Sequence, residues 1–308
     1  MNAAPTETVS VVIPTYNRLA LLPAAVDSAL AQSHAVTEII IVDDGSSDDT
    51  VIWVKQAAQA DGRIKLIERS HGGANRARNA GVTTATGKWI AFLDSDDEWE
   101  PDKLALQFER LRSDPELIAL FTGFRLVGGP QERIFLPRDD PSVIDLRCSN
   151  QLSGTSSALI RADVLRNVGG FDPDLPSCQD WDLWNRLRGH GRFGVVRKPL
   201  VRFNSGPHDR ITTNLPKVLA GHATLYQRLR EGIDDRSELR RISAAHLLVT
   251  ADLHRRHDDA GTGLKLAVKS LVTRPSKWAV RSAIQAGMAL LRSAFMRRTY
   301  PRSASQTP

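Results

Sequence analysis

Cysteine is scarce: Cys148 and Cys178 are the only two in 308 residues. They are too few, and too far from other ligands, for a disulfide framework or a zinc site. A reducing cytosol is therefore the expected compartment. Long apolar runs are missing as well, since nothing approaches the ~20 uninterrupted apolar residues of a membrane span. The opening segment, Met1-Asn2-Ala3-Ala4-Pro5-Thr6-Glu7, lacks the charged-then-apolar design of a secretory signal. Aromatics make up 6% of the chain. The remaining composition, 41% hydrophobic and 25% charged, fits a globular protein with one large domain or one domain and an appendage. Acidic residues are absent after Asp259, although Lys265, Lys269, Arg274, Lys277, Arg281, Arg292, Arg297, Arg298 and Arg302 follow. The net charge of +6 thus belongs to the tail, and the rest of the chain is close to neutral.

What is present in the first half is alternation of short apolar runs with helical patterns. Val9 to Ile13 reads as a buried strand, and Leu19 to Gln32 places Leu22, Val26, Ala29 and Leu30 at helical spacing. Glu38 to Val42 is a second strand that runs into Asp43-Asp44-Gly45, with Ser46-Ser47-Asp48 as helix caps for Asp49 to Ala60. Ile64 to Ile67 is a third strand, Ala74 to Val82 a short helix, and Lys88 to Leu93 a fourth strand ending at Asp94. Such alternation implies right-handed crossovers and a mainly parallel sheet, whose ligands bind at the carboxyl ends of the strands. Ala119 to Phe124, Ser157 to Ile160 and Phe193 to Val196 read as further strands, around an Asp- and Pro-rich loop at Leu136 to Asp145. Beyond Pro216 the pattern turns helical, over Val218 to Leu229, Ser237 to Leu253, Leu264 to Leu271 and Trp278 to Arg297.

Asp94-Ser95-Asp96-Asp97 follows the apolar strand Trp89 to Leu93. Carboxylates one residue apart at a strand end can converge on one hard cation, Mn2+ or Mg2+, which bridges phosphates and offsets charge on a departing diphosphate. The same residues also read as a solvated acidic turn before the helix that begins near Pro101-Asp102. In Asp43-Asp44-Gly45-Ser46-Ser47, Gly45 permits a sharp turn, and an acidic side chain there accepts hydrogen bonds from a base or a ribose. Gly72-Gly73-Ala74-Asn75-Arg76-Ala77-Arg78-Asn79 sets flexible backbone before a short helix with two arginines, which suits phosphate or ribose.

Taken in order, Val9 to Arg18, Glu38 to Asp48, Gly72 to Gly81 and Gly87 to Trp99 resemble the signature stretches of the family 2 glycosyltransferases. That resemblance covers residues 8–210. It implies an α/β domain of the GT-A type over 8–215, a Rossmann-like, mainly parallel sheet flanked by helices. The nucleotide-sugar-binding half would be 8–112 and the acceptor-binding half 113–215, with a basic helical extension over 216–308. By the same resemblance, Pro14, Thr15 and Tyr16 line the nucleotide base, with Tyr16 available for stacking, and Asp44 bonds the base. Asp94 sits near the ribose with Ser95 beside it, Asp96 is the principal metal ligand, and Arg78 contacts the donor. Asp180, in Cys178-Gln179-Asp180-Trp181-Asp182-Leu183-Trp184, falls at the position of the catalytic base. Gln179 stands where the family usually has Glu, so Asp180 lacks the usual acidic neighbour. An inverting transfer needs one such base and no covalent nucleophile. Asp180 also reads as a plain helix-start residue, and Trp181 and Trp184 as core. His208 lies where relatives carry a histidine near the diphosphate, as an additional metal or phosphate ligand.

The resemblance implies a nucleotide-diphosphate sugar donor, with uridine the commonest base, and a glycan or lipid-linked acceptor in cell-surface polysaccharide or lipopolysaccharide assembly. Processive members add membrane spans and a Gln-X-X-Arg-Trp motif, and this sequence has neither. A catalytically silent GT-A domain that binds nucleotide or glycan is a different reading, against which Asp94, Asp96 and Asp180 all stand. A sugar-nucleotide pyrophosphorylase would carry a Gly-rich loop with Arg and Lys after the first strand, where Pro14-Thr15-Tyr16-Asn17 is found. The tail from Leu264 to Arg298 is helical on both sides of Pro275, apolar on one face and basic in all its charges. It either packs on the catalytic domain or rests on an anionic membrane at the cytoplasmic face of the inner membrane, with Trp278, Leu290, Leu291 and Phe295 inserted. No recognition motif accompanies the charge, so nucleic acid is not an expected partner.

Overall fold

The computed structural model describes residues 7–129, 132–206 and 214–299. The chain divides into two compact units, one of residues 1–146 with 150–209, the other of 147–149 with 210–308.

The first unit opens with β1 (Val9–Thr15), α1 (Leu22–Leu30), β2 (Glu38–Asp43), α2 (Thr50–Ala60), β3 (Ile64–Glu68), α3 (Ala74–Thr84) and β4 (Trp89–Phe92). The four strands lie in the order β3-β2-β1-β4, all parallel. Helices cover both faces of such a sheet, so its strands read as continuous apolar runs rather than alternating ones. Every residue of β1 and of β2 is buried accordingly. Thr15 pairs in register with Asp43, which brings the two loops that follow β1 and β2 side by side.

The second half continues with β5 (Glu98–Trp99), α4 (Lys103–Ser113), β6 (Leu117–Val127), β7 (Arg133–Phe135) and α5 (Val143–Cys148). A 3-10 turn over Thr155–Ser157 then leads to β8 (Leu159–Arg161), α6 (Ala162–Asn167), α7 (Gln179–Arg188) and β9 (Arg192–Asn204). The sheet runs on as β4-β8-β6-β9-β5. Here β8 is antiparallel to β4 and β6, whereas β6 and β9 are parallel, so the sheet is parallel in its first half and mixed in its second. The sequence gives no sign of β5 and β7, because two or three residues are too short to show a period. The pleat sends Val12, Ile40 and Phe92 to one core with Ala77 of α3 and Trp184 of α7. Val11, Ile13 and Trp89 go to the other with Leu22 of α1 and Phe108 of α4. Helix α3 sits so close to β1 that a Cβ at Gly81 would lie 2.4 Å from Val12 Cγ1. A side chain there would force a shift of order 1–3 kcal/mol.

The second unit holds α8 (Leu215–Arg230), α9 (Arg236–Arg256), α10 (Ala260–Thr273) and α11 (Lys277–Thr299). Asn214, Asp235 and Asp259 cap α8, α9 and α10 by accepting from Lys217, Ser237 and Thr262 N–H. Gly263 lets α10 approach α9, since its Cβ would meet the Ala251 carbonyl at 3.0 Å. His222 and His246 are buried side by side, nitrogen to nitrogen at 3.1 Å. Burial pushes their pKa values down to about 4 and about 3. Among the described residues no helix is long and apolar enough to cross a membrane.

Candidate functional site

The loops after β1, β2, β3 and β4 meet at the carboxyl edge of the parallel half-sheet. Asp44 is buried there, and its carboxylate accepts from Gly72 N–H at 3.1 Å and Gly73 N–H at 2.7 Å. It also pairs with Arg69 at 3.2 Å and His71 at 3.0 Å. The two backbone N–H groups bond the carboxylate directly, whereas His71 Nδ1 also lies 3.1 Å from the Asp44 carbonyl and Arg69 contributes its charge. Gly73 adopts φ 93° to start α3, a backbone conformation that favours glycine, and this turn aims both N–H groups at Asp44. Asp44 is therefore the organiser of the β3–α3 loop. Of the two ion-pair partners His71, 59% exposed, is the one at the surface. Tyr16 is exposed beside it, with ring centroids 4.3 Å apart, so the two rings form an open aromatic face. Pro14 and Thr15 are buried in β1 and support this loop from below.

Helix α3 carries the next layer. Asn75 and Asn79 hold the 171–175 loop through its carbonyls, Asn75 Nδ2 to Asp172 O at 2.7 Å and Asn79 Nδ2 to Phe171 O at 2.7 Å. Between them Arg78 is buried, its guanidinium 5.3 Å from the Phe171 ring centre, and it gives a 2.6 Å charged hydrogen bond to Asp94. Its Nε has no protein partner. The positive charge of Arg78 is also felt at Asp180, so this one side chain joins the acidic turn to the start of α7.

The acidic turn closes on itself through Asp97 N–H to Asp94 O at 3.0 Å. Thr155 Oγ donates to Asp94 at 3.0 Å, and Ser156 Oγ donates to Asp97 at 2.6 Å while accepting from Asp94 N–H. Ser95 is buried, Asp94 and Asp96 partly exposed. Asp97 is deeply buried, and burial together with the charges of Asp94 and Asp96 pushes its pKa well above the usual carboxylate range. The 3-10 turn that carries Thr155 and Ser156 is itself braced from beneath: Trp99 Nε1 donates to Ser156 O at 2.8 Å, and Gln107 Nε2 to Ser157 O at 3.1 Å. Lys103 lies over Trp99, 4.1 Å from its ring centre, and donates to Gln107 Oε1. Burial pushes its amine well below the usual lysine range. An open pocket of about 650 Å3 borders the turn, lined by Asn17, Arg18, Leu21, Asp48 and Asn204 among others, and the Asn204 N–H reaches Asp97 at 3.3 Å.

Asp180 occupies the first turn of α7, after Cys178 in a left-handed conformation at φ 61°. Asn150 Nδ2 donates to its Oδ2 at 2.9 Å. Burial raises its pKa, against the opposing pull of the Trp181 N–H, Arg78 and Asn150. Trp181 and Trp184 are core, with Nε1 groups bonded to Leu146 O and Ser153 O. His208 lies outside the described residues.

The structure thus brings Asp94, Ser95, Asp96, Arg78 and Asp180 into one acidic region, and gathers Thr15, Tyr16 and Asp44 around the β3–α3 loop. Among the described residues no three His, Cys, Asp or Glu side chains are grouped to hold a metal ion. One or two carboxylates with nucleotide phosphates is nonetheless the usual coordination of Mg2+, and the partly exposed Asp94 and Asp96 supply oxygen donors that fit a hard cation. Sequence reasoning missed Asn150, Thr155, Ser156 and His71. The one signal for them is the run of small hydroxyl residues, Ser153-Gly154-Thr155-Ser156-Ser157, placed directly before a buried strand.

A half-parallel sheet with an acidic turn at its carboxyl edge, braced from a mixed second half, is the GT-A architecture. The Glycosyl transferase family 2 profile matches residues 10–152, and the chain belongs to that family. It is 44% identical over 227 residues to an uncharacterized glycosyltransferase of Rickettsia felis, an alignment spanning 71% of this chain but 36% of that protein. It is 33% identical over 193 residues to the putative teichuronic acid biosynthesis glycosyltransferase TuaG of Bacillus subtilis, covering 61% of this chain and 75% of TuaG. Among solved structures, S. aureus TarS 1-349 in complex with UDP-GlcNAc aligns with TM-score 0.67 at 16% identity, over 96% of this chain and 93% of that one. The mannosyltransferase PcManGT of Pyrobaculum calidifontis, solved with GDP-Man and Mn2+, aligns with TM-score 0.54 at 18% identity, over 98% and 91%.

Proposed function

We propose that this protein is an inverting, non-processive glycosyltransferase that moves a sugar from a nucleotide-diphosphate sugar, a UDP-sugar, to a glycan or lipid-linked acceptor of a cell-surface polysaccharide or lipopolysaccharide. The observation that carries this reading is the acidic turn at the carboxyl edge of the parallel half-sheet, where the buried Arg78 holds Asp94 at 2.6 Å. The TarS complex with UDP-GlcNAc, a protein of the same fold, supports the donor class.

In this reading the open face of Tyr16 and His71 stacks the base, with Asp44 behind it. Asp94 and Ser95 adjoin the ribose and Asp96, assisted by His208, holds Mn2+ or Mg2+. When bound, that cation neutralises the charge that builds on the departing diphosphate. Arg78, fixed by Asp94, adds its positive charge beside the donor. Asp180 accepts the proton of the acceptor hydroxyl as its oxygen attacks. Burial raises the pKa of its carboxyl, which makes the ionised form a stronger base than a solvated aspartate. The work takes place in the cytoplasm, at the cytoplasmic face of the inner membrane.

The test is release of nucleoside diphosphate from a panel of sugar nucleotides, with and without Mn2+, beside donor affinity by calorimetry. Turnover that needs both metal and acceptor supports the reading. Tight donor binding with no turnover on any acceptor would identify a silent binding domain instead.

A further inference from the structure

Helix α11 is arranged opposite to what folding alone favours. Its small residues face inward, with Ala279 and Ala286 buried, while Val280, Ile284, Met288 and Leu291 are exposed. Those four follow spacings of four, four and three residues, so at 100° per residue they form a single stripe along the helix. Leu291 is 73% exposed and Trp278, in the first turn, 60%. Leu290, which the sequence suggests as an inserting residue, is instead half-buried toward the alanine side. Leaving a stripe of this kind in water forgoes the burial that a core-facing orientation would give, and such stripes mark contact surfaces.

The charges identify the partner. Arg281 and Arg292, both exposed, each follow a stripe residue by one position and so form a basic border along one edge, with Lys277 at the helix start. No acidic residue occurs in α11 or anywhere after Asp259. A second copy packed stripe to stripe would set arginines against arginines with no carboxylate between them. A surface of dense negative charge over an apolar interior meets both features at once. We propose that α11 lies flat on an anionic lipid bilayer, with Val280, Ile284, Met288 and Leu291 at the acyl boundary and Lys277, Arg281 and Arg292 among the headgroups. Among the described residues no helix is long and apolar enough to cross a bilayer.

The full chain is sedimented with vesicles of phosphatidylcholine, and with vesicles of phosphatidylcholine and phosphatidylglycerol in equal parts. The expected result is binding to the second alone, lost in high salt. Arg281→Gln and Arg292→Gln should each weaken it about fivefold. Ile284→Ser with Leu291→Ser should weaken it by roughly tenfold or more, with circular dichroism unchanged because both positions are on the surface. The proposal is overturned if the native chain ignores anionic vesicles, or if the Ser variant binds as the native chain does. It is equally overturned if the native chain is a dimer without lipid that the Ser variant disperses. No nucleotide enters the measurement, so its outcome is independent of the transferase reading.

Discussion

The two sides of the cleft hold their carboxylates differently. On the side proposed to bind the donor, Asp44 accepts from two backbone N–H groups and pairs with Arg69 and His71, while Asp94 is fixed by Arg78 of α3 and Thr155 of the 3-10 turn. On the acceptor side, Asp180 has one side-chain donor, Asn150, and sits in the first turn of a helix. A carboxylate that must stay in place is bonded many times over. Asp180, the proposed proton acceptor, has few bonds to its ionised form, so burial prevails and its pKa rises.

The comparison breaks most visibly at Asp180. Asp180→Asn keeps shape and the bond from Asn150 but cannot accept a proton, and general bases contribute about 10²–10⁴-fold. We expect kcat to fall by roughly 10³-fold while donor affinity by calorimetry stays unchanged. Normal transfer by this variant would remove Asp180 from the mechanism. Asp96→Ala acts on the other side. It should abolish Mn2+ stimulation and lower kcat/KM by about 10²-fold, with a matching loss of Mn2+ affinity for the nucleotide-loaded protein by electron paramagnetic resonance.

The same asymmetry decides what can be read from sequence. Asp44, Gly72, Gly73, Arg78 and Asp94 stand in short contiguous stretches because each stretch is the loop or helix start after one strand of a parallel sheet. The acceptor side gives no such run. Asn150 and Asp180 come from separate elements 30 positions apart, and on the donor side too only the fold brings Thr155 to Asp94 across 61 positions of chain. The helices of the tail were legible from their spacing, but not which way α11 turns, since alanines as well as larger apolar residues run along it. Strands β5 and β7 were invisible for want of length.

A smaller effect is expected at Ser156, which ties the two sides together. Its hydroxyl donates to Asp97, which otherwise accepts from Asn204 N–H, and accepts from Asp94 N–H in a buried turn. Ser156→Ala leaves those groups unsatisfied, at about 1–3 kcal/mol, and lets the acidic turn drift. We expect kcat/KM to drop roughly tenfold, through weaker binding of metal and donor. Ser157→Ala is the control, because Ser157 Oγ bonds the Leu152 and Gly154 carbonyls and not the acidic turn. Equal effects from the two substitutions would mean that only general stability of the turn is at stake.

Asn150→Ala should have the smallest effect on rate and the most telling effect on pH dependence. The Asn150 amide bonds the ionised form of Asp180 and so holds its pKa down, while burial holds it up. Taking the amide away leaves burial less opposed, and the pKa rises further, by about one unit for a bond of ordinary strength. A base works only when deprotonated, so the acid limb of kcat/KM marks the Asp180 pKa in the free enzyme. That limb already lies above the range of a solvated aspartate, and Asn150→Ala should move it to higher pH. At pH values well above both limbs the rate of the variant should approach that of the native chain. A limb that stays put while the plateau falls would show that Asn150 positions Asp180 without setting its basicity. The acceptor side would then be held as firmly as the donor side, and the contrast between them would reduce to the number of bonds.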